Sequence, residues 1–210
     1  KKYLKFRSNE LETKMKIQDI KPGSILQTEK NSYIYANSLE LPSTTHISIV
    51  DKYGNALSMT STIESSFGSR LMTNGGFLLN NELTDFSFQK EKKGKRVANN
   101  IEPNKRPRSS MAPTIIFKND KPLFIIGSPG GSNIIGYVVN SIIGLVDWKM
   151  NVQQAASIPH AINKFGIFYL EKNSKISLLK NQLEKKGYKV KLRNFYSGLN
   201  IIQIKNKLFG

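Results

Sequence analysis

A short apolar run, Leu123-Phe124-Ile125-Ile126, passes through Gly127-Ser128-Pro129-Gly130-Gly131-Ser132 into a segment where Ile134, Ile135, Val138, Val139, Ile142 and Ile143 recur in pairs every four residues. No other feature constrains the fold as tightly. The pairing has the 3.6-residue period of a helix with one buried face, and the run before it, bounded by glycine, has the length of a buried strand. Gly136, Asn140, Ser141 and Gly144 interrupt the helical segment. It therefore reads as a buried helix and falls short of the roughly 20 apolar residues a membrane span needs.

Strand signals dominate upstream. His46–Val50, the turn Asp51-Lys52-Tyr53-Gly54-Asn55 and Ala56–Ile63 predict a hairpin. Thr114–Phe117, a turn over Lys118–Lys121 and Leu123–Ile126 predict a second. Phe77-Leu78-Leu79 is a further short apolar run, and the Lys-rich stretch 87–107 reads as a mobile surface loop. Downstream, Val152–Ser157 begins a short helix. Ser174 can cap another, with Ile176, Leu179 and Leu183 on one face and Gly187 as its stop. Tyr188–Leu192 and Leu199–Ile204 are the last strand candidates. Residues 1 to 43 are polar and mixed, with a helix-compatible piece at Asn9–Ile17 and a Pro22-Gly23 turn signal. Strands, then helices, then strands predict an α+β fold of sheets layered with helices, not a strand–helix alternation.

Charge and composition narrow the function classes. Lys and Arg number 32 against 15 Asp and Glu, a net charge of +17. The lysines are dispersed, without an aromatic-interleaved basic helix, so they read as surface charge and no nucleic-acid partner is expected. With no Cys and two distant histidines, His46 and His160, neither a disulfide nor an all-protein zinc site is expected. No metal or cofactor is expected either.

Several constellations could carry chemistry. Thr44-Thr45-His46 follows a Pro42-Ser43 break and opens the first clear strand. Such a pair is ordinarily a turn exit. If the chain is cut between Ser43 and Thr44, the new α-amine, with a pKa near 8, can act as base to the Thr44 hydroxyl. The Gly127–Ser132 turn admits three readings: a tight strand-to-helix turn, a phosphate cradle, or an oxyanion hole of backbone N–H groups at a helix N-terminus. Glu82 and Asp85, three residues apart, suit an ammonium group. Ser109 and Ser110, beside Lys105, Arg106 and Arg108, suit a carboxylate or phosphate.

The order of these pieces is more telling than any one of them. Thr44-Thr45-His46 is followed by Thr62-Ile63-Glu64 with Phe67-Gly68, then Leu79-Asn80-Asn81-Glu82 with Asp85-Phe86. Next come Asn104-Lys105-Arg106-Pro107 with Ser109-Ser110-Met111 and Pro113-Thr114, and finally Gly127-Ser128-Pro129-Gly130-Gly131. This series closely resembles the γ-glutamyltransferases (glutathione hydrolases), over about 160 residues and weakening after Pro159. Ile20-Lys21-Pro22-Gly23 resembles the tail of that family's large subunit.

The resemblance implies an N-terminal-nucleophile hydrolase, an αββα sandwich incomplete in this chain. Residues 1–43 would be the end of the large subunit, and 44–210 the nucleophile-bearing small subunit, truncated at its C-terminus. It implies self-cleavage at Ser43–Thr44, with Thr44 as nucleophile, Thr62 supporting it, and Gly130 and Gly131 as the oxyanion hole. Glu82 and Asp85, assisted by Glu64, would hold the α-ammonium of a γ-glutamyl group, and Ser109 and Ser110 its α-carboxylate. The implied partners are a glutathione-like donor, an amino-acid or peptide acceptor and a large-subunit polypeptide. The implied location is periplasmic or secreted, given an upstream export signal. Three departures stand out: most of the large subunit, with its carboxylate-binding arginine, is absent, His160 stands where Arg is expected, and the chain stops at Phe209-Gly210 before the expected tail. An inactive remnant, or a related acylase taking another acyl group, fits the same residues.

Overall fold

The computed structural model describes residues 2–9, 33–34, 43–164, 166–205 and 208–209. Its helices are α1 (Lys2–Asn9), α2 (Ile134–Val146), α3 (Val152–Ala156) and α4 (Lys180–Lys185). Its strands begin with β1 (Tyr33–Ile34), β2 (Thr44–Val50), β3 (Ala56–Thr62), β4 (Glu91–Lys92), β5 (Lys95–Val97) and β6 (Thr114–Lys118). They continue with β7 (Lys121–Gly127), β8 (Ala161–Lys164), β9 (Ile167–Glu171), β10 (Lys189–Arg193), β11 (Asn200–Ile204) and β12 (Leu208–Phe209).

Strand β7 is central to the layering. It pairs antiparallel with β6 and β11, giving a sheet of order β12-β11-β7-β6. Phe124 and Ile126 cluster with Ile134, Val138 and Leu145 of α2, Ala155 of α3 and Ile201 of β11. This is the main core, and it forms the helix-on-sheet layer. Ile125 and Gly127 have the opposite parity along the strand and face the other way, toward the β2–β3 hairpin. That hairpin pairs antiparallel from Thr44↔Thr62 to Val50↔Ala56 and packs across β7 and β11. Helix, sheet and hairpin thus form three consecutive layers of an N-terminal-nucleophile sandwich. The hairpin's outer face carries Ile47, Ile49, Leu57 and Met59, each 42–47% exposed.

Local chemistry explains the elements. Asp51 closes the hairpin turn by accepting the N–H groups of Tyr53 (2.8 Å) and Asn55 (2.9 Å). Asn151 caps α3 in a reciprocal box with Gln154. At the end of α4, Gly187 and Tyr188 donate to the carbonyls of Glu184 and Leu183, the hydrogen bonds of a Schellman stop. The Ser174 hydroxyl binds back to the Glu171 carbonyl and leaves a 3₁₀ turn, Lys175–Leu179, to lead into α4.

Three expectations change. Residues 87–107 are not a featureless loop, since they hold β4 and β5, and Val97 and Asn100 are buried. β10 runs parallel to β9 through α4, a local strand–helix–strand unit inside the α+β fold. In the first two apolar pairs of α2 only one residue is buried: Ile134 and Val138 face the core, while Ile135 and Val139 are about half exposed. The helix and turn expected at Asn9–Ile17 and Pro22-Gly23 lie outside the described residues, apart from Asn9 itself at the end of α1. Among the described residues no helix is long and apolar enough to cross a membrane.

Candidate active site

Thr44 is the first residue of β2 and points to the inner face of the hairpin, opposite Thr62 at the end of β3. Its hydroxyl donates to the Thr62 hydroxyl at 3.2 Å. Thr62 in turn donates to the Ser43 carbonyl at 3.2 Å and accepts the Glu64 N–H at 3.0 Å. A hydroxyl has one proton to give and two lone pairs to receive. That capacity is fully used, so the Thr62 side chain has a fixed orientation against the Ser43–Thr44 bond.

Eight of the nine residues singled out from the sequence line one cleft of about 310 Å³, open to solvent: Thr44, Thr62, Glu64, Glu82, Asp85, Ser109, Ser110 and Gly131. Met111 and Ile134 complete its wall. Gly130 is adjacent but packs the other way, with φ +137° and its Cα turned to the Tyr137 ring.

Each acidic residue has a local reason for its place. Glu82–Asp85 form a single 3₁₀ turn, in which residues three apart eclipse, so both carboxylates reach the same cleft. Glu64 has a left-handed backbone (φ +71°) and is 5% exposed. Asn81 donates to its carboxylate at 2.5 Å, while the Asn81 oxygen accepts from the N–H and hydroxyl of Ser65. Asp85 is 7% exposed. Two buried acidic side chains and a third beside them thus share one wall of the cleft.

The opposite wall is pinned by Asn99. It donates to the Asp85 carbonyl at 2.7 Å and accepts the Arg108 N–H at 3.0 Å, tying the acidic turn to the Ser109–Ser110 segment. Lys105, counted from sequence among the cationic neighbours of those serines, is instead engaged by Asn100 and Glu102 outside the cleft. Asn81 was quoted only as part of a motif, and Asn99 was not singled out at all, because single bridging amides leave no periodic or spacing signal.

His46 stands two residues beyond Thr44 on the same inner face. Its Nδ1 meets Thr60 at 2.7 Å and its Nε2 meets Ser48 at 3.1 Å. Ser48 gives its own proton to the Asn200 carbonyl at 3.4 Å. With Ser48 donating to Asn200, these partners fit a neutral ring that carries its proton on Nε2 and accepts from Thr60 at Nδ1. The ring lies flat on Gly127, where an added Cβ would fall 1.9 Å from Cε1. Burial pushes the imidazole pKa down, consistent with the neutral form.

Comparison with known proteins bears on what this cleft does. The chain matches the family model described as gamma-glutamyltranspeptidase over residues 1–209. It is 35% identical over 194 residues to the glutathione hydrolase proenzyme of Escherichia coli (strain K12), covering 89% of this chain and 31% of that protein. To the glutathione hydrolase proenzyme of Bacillus subtilis (strain 168) it is 45% identical over 117 residues, 55% of this chain and 19% of that protein. Among solved structures it is similar to a threonine-to-alanine mutant of Helicobacter pylori gamma-glutamyltranspeptidase. There the TM-score is 0.69 and the identity 41%, over 78% of this chain and 92% of that chain. The chain spans less than a third of the length of these curated relatives.

Proposed function

The chain belongs to the γ-glutamyltranspeptidase family, and from that premise we propose that it carries the nucleophile-bearing part of a γ-glutamyl hydrolase or transferase. The observation that carries this reading is the hydroxyl chain Thr44–Thr62–Ser43 at the edge of an acid-walled cleft.

In the proposed maturation, Thr44 Oγ adds to the Ser43 carbonyl carbon. Thr62, already donating to that carbonyl oxygen, steadies the charge that develops there. The Ser43–Thr44 C–N bond breaks, the departing nitrogen takes up a proton, and water opens the resulting ester. Ser43 is left as a carboxylate and Thr44 with a free α-amine. Residues 1–43 then become the end of one polypeptide, and 44–210 belong to the other.

In turnover the new amine accepts the Thr44 hydroxyl proton as Oγ attacks the γ-carbonyl of the donor. Backbone N–H groups of Gly130 and Gly131, at the N-terminal end of α2, stabilise the oxyanion. The leaving amine departs protonated, and the γ-glutamyl ester passes to water or to an acceptor amine. Glu64, Glu82 and Asp85 hold the donor α-ammonium, and Ser109 and Ser110 its α-carboxylate. The three acidic side chains favour this reading over an acylase for acyl groups without an amine, because an α-ammonium can make charge-assisted hydrogen bonds to them and such acyl groups cannot. A large-subunit polypeptide completes the cleft and covers the apolar outer face of the hairpin.

Two measurements test the proposal on protein containing this chain together with its large-subunit region. Mass spectrometry should find a fragment beginning at Thr44. p-Nitroaniline release should be seen from the γ-glutamyl anilide and not from the glutaryl anilide. An uncut chain, or equal turnover of both anilides, would overturn it.

A further inference from the structure

Gly130 rests on an aromatic ring. Tyr137, the fourth residue of α2, has its side chain tilted back toward the helix N-terminus, as helical side chains are. It is fully buried, and a Cβ built on Gly130 would fall 2.5 Å from its Cε2. The Tyr137 hydroxyl lies near the Asn133 side chain and the Tyr196 backbone, without good hydrogen-bond geometry to a partner. What fixes this residue is the packing of its ring.

Against the same ring lies His160, where the family resemblance predicts Arg. The two rings are 4.2 Å apart between centroids and tilted by 41°, and Phe195 meets both edge-on. His160 is 5% exposed, its Nε2 is 2.8 Å from the Ser197 hydroxyl, and its backbone N–H donates to the Glu171 carboxylate at 2.8 Å. Its buried Nδ1 has no hydrogen-bond partner. The chain then turns back to the glycine loop, where Gly198 N–H donates to Ser128 Oγ at 3.2 Å and Gly198 packs on Pro129. The contacts close a circuit: Gly130, Tyr137, His160, Ser197, Gly198, Ser128.

We propose that Tyr137 and His160 are positioning residues: the Tyr137 ring is the floor on which Gly130 sits, and neutral His160 holds that ring in place. The inference rests on the proposed role of Gly130 and Gly131 at the oxyanion, and it explains His160 as a flat neutral ring in an aromatic stack. A permanently charged guanidinium in the same buried place would need new partners. The charged or titratable groups around His160 are Glu171 from β9, Tyr137 from α2, and Arg193 from β10, whose guanidinium lies 5.1 Å from the Phe195 ring centre. Burial lowers the His160 pKa and Glu171 opposes this in part, so the ring is neutral at pH 7. Protonation would put a cation inside the stack and loosen the floor.

The test uses protein containing this chain and its large-subunit region. Tyr137→Leu and His160→Ala should lower kcat by about tenfold to a hundredfold, with donor KM changed less than about twofold. Tyr137→Phe, which keeps the ring, should retain the wild-type kcat. Amide hydrogen exchange over residues 127–132 should quicken in the first two variants and not in the third. Unchanged kcat or unchanged exchange in folded Tyr137→Leu overturns the proposal. Should the variants fail to fold, the wild type decides alone: the Gly130 and Gly131 amide shifts must follow the His160 titration, and static shifts overturn it. If wild-type protein releases no γ-glutamyl product, the functional reading fails, while exchange and titration still decide whether the floor exists.

Discussion

The hydroxyls of Thr44 and Thr62 lie 3.2 Å apart across the open end of the β2–β3 hairpin, and the proton of the second points at the Ser43 carbonyl. One cross-strand pair therefore links the proposed nucleophile to the bond it would cut. Their placement depends on register, since a slip of one residue would turn every inner-face side chain of β2 outward.

Thr44→Ala should abolish both the Ser43–Thr44 cut and γ-glutamyl release, whereas Thr44→Ser should retain part of each. Thr62→Ala should slow the cut by about ten- to a thousandfold, the range for loss of one donor to a developing oxyanion. Thr62→Ser should restore most of the rate. Time courses followed by mass spectrometry read all four variants.

Asn81 donates to the buried Glu64 carboxylate, and a hydrogen bond to a charged group contributes about 1.5–3 kcal/mol. Asn81→Ala should raise the donor KM by about tenfold or more, with a smaller change in kcat. Asn81→Asp should be worse, because it places a like charge against Glu64. Steady-state kinetics on the γ-glutamyl anilide decide it. Equal KM values for wild type and Asn81→Ala would remove Asn81 from the donor subsite.

Both histidines are buried enough to lower their pKa below the ordinary 6.5. Below that value the unfolded chain binds protons that the folded chain refuses, so stability falls as pH falls. The contribution is fully present above about pH 6.5 and is lost as pH drops through the folded values. Urea denaturation between pH 7.5 and 5 should show this slope, reduced by His160→Gln and reduced further by His46→Gln. A slope unchanged in the double variant would assign the acid sensitivity elsewhere.

Gly127→Ala drives a methyl group into the His46 ring, an overpacking that costs about 1–3 kcal/mol. His46→Ala makes room for it, so the double variant should be more stable than the sum of the single effects implies. A double-mutant cycle by denaturation measures the coupling, and additive effects would show that the two residues do not press on each other.

The parts legible in sequence were those written locally. The strand–glycine–helix passage, the Asp51–Asn55 turn and the Gly187 stop each depend on residues a few positions apart, and the fold follows them. Motif order also singled out the residues that line the cleft. The rest depends on contacts between distant residues. Asn99 joins the acidic turn to the serine segment with two hydrogen bonds and no pattern around it, so its stretch read as loop. His160 showed only as a departure from Arg. Its aromatic neighbours, 23 residues upstream and 35 downstream, come together only when α2 and the β10–β11 connection meet. The parallel β9–α4–β10 unit stayed hidden because a single short helix between strands looks alike whether the second strand returns parallel or antiparallel.

One face of the hairpin holds the hydroxyls of Thr44 and Thr62, and the reverse face is a strip of Ile47, Ile49, Leu57 and Met59. Alternate residues of each strand face opposite ways, so the two surfaces share one backbone. A partner that covers the apolar strip would therefore also bear on the proposed nucleophile, without touching any reacting atom. If the proposed reactivity of Thr44 depends on that cover, activity should follow a binding isotherm and fall on dilution.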